Sequence, residues 1–205
     1  MPLVLFVLGI WMNAKTSAWQ EDIAVTQMVD SYFDGVMSHA SSTESDVFYK
    51  TALARSRSLF FHLAELDRKR EFINVLRFIS EVEPDLLRSS PFEQDPQAAP
   101  YHINLNHSDL SSSDIEIMSI DSLDFSSSNF ERTNFYEFSC DDCSFDSSSF
   151  RNASFVSTSF SGSDLSNADF KGSNISNAYL EGAKLEFAIW SNGIVCAKGS
   201  IGTCD

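Results

Sequence analysis

The residues with most obvious chemical capacity are four cysteines, all in the last third of the 205-residue chain: Cys140 and Cys143 in "CDDC", and Cys196 and Cys204 in the closing "WSNGIVCAKGSIGTCD". The spacing of the first pair is that of dithiol redox centres, whose reactive thiol normally opens a helix and has its pKa lowered by the helix N-terminus. Here both cysteines occupy inward positions of an extended repeat, and Asp141 and Asp142 between them would raise a thiol pKa. The pair therefore reads as a structural corner disulfide or as two buried thiols. No Ser-His-Asp or Cys-His set accompanies it: His39 and His62 have no partners at ligand spacing, and His102 and His107 lack Cys or acidic neighbours at a recognisable interval. Adjacent acids such as Asp141 and Asp142 face opposite ways along a strand and cannot share a substrate. No catalytic residue, cofactor or metal ligand is expected, and nothing points to an enzyme.

The element that positions these residues is a repeat. In "FSSSNFERTNFYEFSCDDCSF", residues 125–145, aromatic residues recur every five positions, a period of neither a helix nor a plain strand. The series runs Leu105, Leu110, Ile115, Ile120, Phe125, Phe130, Phe135, Cys140, Phe145, Phe150, Phe155, Phe160, Leu165, Phe170, Ile175, Leu180, Leu185 and Trp190, seventeen of eighteen large and apolar. A second series two residues earlier is small from Cys143 onward: Ser148, Ala153, Thr158, Ser163, Ala168, Ser173, Ala178, Ala183, Ala188. Inward positions thus alternate in steps of two, the strand rule, and three, which must contain a corner. A chain that repeats a short extended side and a corner, always with one face inward, winds into a solenoid whose coils hydrogen-bond to their neighbours. Phe138, the one aromatic in the small series, lies two residues from Cys140, the one small side chain in the large series; the two are expected to have exchanged volume, with Phe138 pointing inward.

"SGSDLSNADFKGSNISNAYLEGAKLE", residues 161–186, resembles a run of pentapeptide repeats, and the similarity extends over 101–190. The resemblance implies a mainly β fold, a right-handed quadrilateral β-helix with four units per coil, hence about 4.5 coils and a rod of roughly 22 Å. The closing W…G…C…GSIG-C is similar to endings of exported family members, which implies that Cys196 and Cys204 tie a cap over the last coil. Ile103, Met118 and Leu123 replace the usual small residue, so the first coil is either distorted or where other elements dock.

Residues 19–90 read as an α-helical region. Val25, Met28, Val29, Tyr32, Phe33 and Val36 share one helical face; a second helix is expected from about Val47 to Leu66, with Phe48, Leu59, Phe60, Leu63 and Leu66 for burial. A third carries Phe72, Ile73, Val75, Leu76, Ile79 and Val82 and ends before Pro84. "RKR" at 68–70, beside Asp67 and Glu71, is expected to form intrahelical ion pairs. The proline-rich 91–100 reads as a linker, and 191–205 as the C-terminal cap.

Residues 1–18 run apolar from Leu3 to Met12 and then turn small and polar, a secretory signal with cleavage after Ala18, although no Lys or Arg precedes the apolar stretch; a buried N-terminal element is the other reading. The stretch is too short for a membrane span, and none is expected after its removal. With an even cysteine count this points to a periplasmic or secreted protein holding two short-range disulfides. Net charge is -15, and residues 101–190 carry 14 acids against 4 bases, so direct nucleic-acid binding is not expected. The N-x-S/T triplets at Asn106, Asn152 and Asn174 read as by-products of composition. The leading expectation is a rigid binding or scaffolding module for an unknown protein partner. The resemblance also suggests an acidic DNA mimic that occupies a type II topoisomerase such as gyrase, and a third reading is a secreted effector that contacts host proteins.

Overall fold

The computed structural model describes residues 20–35, 45–82 and 105–205; the expected leader with its cleavage after Ala18, the 91–100 linker, Val36, His39 and His102 lie outside them. The chain divides at Phe48/Tyr49 into two compact units. The first includes α1 (20–35), which buries Val25, Val29 and Tyr32 along one face, as their i, i+4, i+7 spacing requires. The second contains everything below except the start of α2.

Helix α2 (Ser45–Glu65) begins two residues before the expected Val47, inside the polar "SSTESD". It ends in a Schellman turn without glycine: Arg68 N–H donates to Leu63 O (2.8 Å), Asp67 N–H donates to Ala64 O (3.1 Å), and Asp67 takes the left-handed conformation at φ 52°. That turn carries Leu66 out to 40% exposure, so it is not the buried residue its spacing suggested. Helix α3 (Lys69–Val82) buries Phe72, Ile73, Val75, Leu76 and Ile79, and the Phe72 ring lies 4.7 Å from Phe60 of α2.

The basic cluster makes local ion pairs and one long-range pair besides. Arg68 does pair with Glu71 one turn away, and that hydrogen bond lowers the Glu71 carboxyl below its ordinary range. Lys69 lies 3.7 Å from Asp67 and also reaches the repeat region: its Nζ is 3.2 Å from Asp109 Oδ2 and donates to Ser111 Oγ at 3.0 Å. Burial pushes the Asp109 carboxyl up, but hydrogen bonds from Ser111 and Lys69 outweigh it and hold the group low. Helix α3 also lies against strand β1 (Asp114–Asp121), so the first coil is where the helices dock.

Strands β1, β2 (Asn134–Asp141), β3 (Ser154–Val156), β4 (Thr158–Ser159) and β5 (Ala178–Tyr179) pair in parallel. Partners are twenty residues apart: Ile115 faces Phe135, Phe135 faces Phe155, Ile120 faces Cys140, and Thr158 faces Ala178. Isolated parallel bridges such as Asp109–Asn129 and Asp124–Ser144 keep the same interval. Four five-residue units therefore separate stacked neighbours, which defines four sides. Side one is centred on Ile115, Phe135, Phe155 and Ile175; side two on Ile120, Cys140, Phe160 and Leu180; sides three and four follow, on the Phe125 and Phe130 columns.

Inside, rings stack along the axis. Phe125 on Phe145, Phe130 on Phe150, Phe135 on Phe155 and Phe150 on Phe170 all have centroids 5.0–5.4 Å apart and planes within 7°. Side two breaks the stack, since Cys140 offers no ring to Phe160, which instead meets Phe145 edge-on at 5.2 Å. Phe138 is buried, 5.3 Å from Phe135 and 6.1 Å from Phe160, so the volume missing at residue 140 is filled from residue 138. Trp190, the last of the series, is only half-buried because no further coil covers it.

Two features of the coil escape a reading by side-chain size. At almost every corner, from His107 to Phe187, the residue two past the large inward position has φ between 48° and 77°. Its N–H reaches the next coil, as Ser127 to Asp146 O and Asn167 to Glu186 O, and these bonds stabilise an otherwise disfavoured conformation. At Asn177 a short 3-10 turn (Ile175–Asn177) replaces it.

The second feature is a ladder of buried hydroxyls in the small series. Ser163 Oγ donates to Cys140 O (2.7 Å) and accepts from Cys143 N–H (3.1 Å); Ser148 Oγ likewise donates to Phe125 O and accepts from Ser128 N–H. Each hydroxyl bridges coils at a corner, where the strand ladder is interrupted. Ser173 Oγ is buried with no partner. Ser163→Ala is therefore expected to destabilise by about 1–3 kcal/mol, while Ser173→Ala is neutral or stabilising. Urea midpoints measure both, and equal losses would show that the hydroxyls act only through volume.

The final coil is closed by the tail. Val195 pairs antiparallel with Ile189 and Ile201 with Lys184, while Gly202 N–H donates to Ala183 O at 2.8 Å. Backbone groups that would otherwise face a further coil are thereby paired.

Candidate protein-interaction face

The candidate chemical centres resolve into structural ones. Cys140 and Cys143 are joined by a disulfide (S–S 2.06 Å, Cα–Cα 5.7 Å) that crosses the corner between sides two and three, and both are buried. Cys196 and Cys204 are joined across the tail (Cα–Cα 4.8 Å). His107 lies at an exposed corner, and the exposed His62 places Nδ1 2.9 Å from Ser58 O. Among the described residues no group of three His, Cys, Asp or Glu could hold a metal ion, and no helix is long and apolar enough to cross a membrane. Two of the Asn triplets have structural employment: Asn174 Oδ1 accepts from Phe155 N–H at 2.7 Å, and the Asn152 amide lies directly over Gly172.

What distinguishes the surface is how charge is sorted among the sides. On sides one and two, residues 114–122, 134–142, 154–162 and 174–182, there are seven acids (Asp114, Glu116, Asp121, Glu137, Asp141, Asp142, Glu181) and no Lys, Arg or His. All four Lys and Arg residues of 105–190, Arg132, Arg151, Lys171 and Lys184, belong to sides three and four, as does His107. Three of them are already paired there, with Glu131 (3.1 Å), Asp169 (2.7 Å) and Asp164 (3.4 Å). The twenty-residue register sums one sign of charge over two adjacent sides, which gives a field no single repeat carries.

The same two sides hold exposed apolar groups. Tyr136 and Val156 stack in one column on side one, each 44% exposed, with Ile117 at the corner (64%) and Tyr179 on side two (67%). Ile117 combines a β-branched side chain with φ 48°, a pairing that packing alone does not favour. A hydrogen bond to Glu137, together with its negative charge and that of Glu116, raises the Tyr136 phenol pKa, so the ring stays neutral beside the acids.

Such a molecule, a parallel β-solenoid whose last coil is closed by the tail, falls in the class of repeat proteins built by stacking one short unit on the next. More particularly, residues 124–186 are pentapeptide repeats: the family model described as pentapeptide repeats matches in eight copies, over residues 124–162 and 148–186. Similar solved structures include a pentapeptide repeat protein from the cyanobacterium Cyanothece 51142, at 19% identity over 49% of this chain and 71% of that one (TM-score 0.24). Another is QnrB1, described as a plasmid-mediated fluoroquinolone resistance protein, at 22% identity over 41% and 51% (TM-score 0.26). HetL, involved in heterocyst differentiation regulation in the cyanobacterium Nostoc, matches at 17% over 45% and 55% (TM-score 0.16). The chain thus spans only about half the length of the latter two. No curated protein sequence matches it.

Proposed function

We propose that this protein is an exported, non-enzymatic module whose right-handed quadrilateral β-helix, about 4.5 coils long, binds a cationic segment of a partner protein along sides one and two. The observation that carries this reading is the sorting of charge: seven acids and no base on two adjacent sides, interleaved with exposed Ile117, Tyr136, Val156 and Tyr179. Acids attract and orient a Lys- or Arg-rich segment, while aromatic faces accept guanidinium and ammonium groups.

Capture of partners by the full chain tests it, with the triple variant E116K/E137K/E181K alongside. These acids are exposed, so folding is preserved, and partner binding is expected to fall about tenfold or more and to weaken with added salt. Undiminished capture by the variant would reject the face. Export is tested separately by fractionation, and intact, unprocessed chain found in the cytoplasm would reject it. An acidic face also suits the DNA site of a type II topoisomerase, and gyrase supercoiling unchanged by the purified protein removes that second reading.

A further inference from the structure

The chain has a net charge of -15, yet among the described residues positive charge gathers beside α3. A groove of about 300 Å³ runs between α3 and the first coil, bordered by Lys69, Arg70 and Arg77 from the helix and by Ser112, Ser113 and Asp114 from the coil. Lys69 is already held by Asp109 and Ser111. Arg70 and Arg77 are not: among the described residues neither guanidinium has an ion-pair partner, and Arg77 Nε is buried with no acceptor for its proton. The two are seven residues apart, two turns of α3, so they stand on one stripe of the helix and border the same space. On the opposite wall Asp114 accepts from Asn134 Nδ2 at 2.8 Å, which fixes its carboxylate and disperses part of its charge.

We infer that this groove binds a small phosphate-bearing molecule, with the phosphoryl group between Arg70 and Arg77. A guanidinium fork matches phosphate oxygens through its terminal N–H groups, and among the described residues neither fork is engaged by a carboxylate. The hydroxyls of Ser112 and Ser113 and the carboxylate of Asp114 give the remainder of the ligand donors and acceptors for hydroxyl groups. The volume is at the lower end of small-molecule sites, which suits a ligand of sugar-phosphate size rather than a nucleic acid. The inference is independent of the partner-protein reading, because its ligand is an anion and its arginines belong to α3.

The test is calorimetric titration of the full chain with glucose 6-phosphate, inorganic phosphate and glucose. Both phosphates are expected to bind saturably with Kd below about 1 mM, and glucose not at all. Arg70→Ala and Arg77→Lys, the second keeping charge and stem but losing the fork, are each expected to weaken glucose 6-phosphate about tenfold, with circular dichroism unchanged. Arg132→Ala, on a corner already paired with Glu131, is expected to bind as the parent does. Absence of saturable phosphate binding, equal binding by glucose, or parental affinity in folded Arg70 and Arg77 variants would overturn the site.

Discussion

Phe150→Ala is expected to destabilise the repeat region by about 3–5 kcal/mol, the range for removing a fully buried aromatic ring. Phe150 has no exposed surface and sits mid-rod, stacked at 5.0 Å on both Phe130 and Phe170. It also meets Phe145, Phe155 and Phe160 at tilted or edge angles, with centroids 5.5–5.9 Å away. Truncation would open a void bounded by rings whose positions are set by coils above and below, so little collapse is available to offset it. A denaturant midpoint that falls with unchanged slope is the expected signature. A loss under about 1 kcal/mol would mean that the aromatic axis is not what holds the coils together.

The second large effect is at the far end. Converting Cys196 and Cys204 to alanine is expected to cost about 2.5 kcal/mol from the released nine-residue loop, a drop of about 5–10 °C in melting temperature. The more telling change is in association. With the tail loosened, the groups of Lys184, Ile189 and Ala183 that now pair with Ile201, Val195 and Gly202 become an open edge, and concentration-dependent self-association is expected. Light scattering on the variant is the measurement, and a monomer of unaltered melting temperature would show that the tail closes the rod without its disulfide. The four-residue Cys140–Cys143 loop is shorter, and its removal is expected to cost about 2 kcal/mol with no new association. That bond lies inside the rod and closes no edge.

Much of the fold was legible because burial acts locally. Each fifth residue must face the axis, so Leu105 through Leu185 could be listed before any coil was seen, and all of the series but the half-buried Trp190 are buried, Cys140 with its missing volume supplied by Phe138. The helical stripes of α1 and α3 follow from the same cause. The corner conformation was less legible, although Gly162, Gly172 and Gly182 share their position with Asn152, Asn167 and Asp142, residue types that tolerate positive φ. The hydroxyl ladder had no signal at all, since a serine chosen for smallness and one chosen for two hydrogen bonds are the same letter.

By itself, then, the sequence determined which residues face inward and that Phe138 and Cys140 had traded volume, both consequences of side chains within a few positions of one another. Tertiary structure alone decided what lies side by side at a distance: Glu116, Tyr136 and Val156 in one column, Lys69 against Asp109, and Arg70 and Arg77 facing Ser112 and Asp114 across a groove. A five-residue period constrains orientation about the axis but not the neighbour above or across. That neighbour is set by backbone pairing at twenty residues and by the packing of α3 on the first coil, interactions that exist only once the chain has closed on itself.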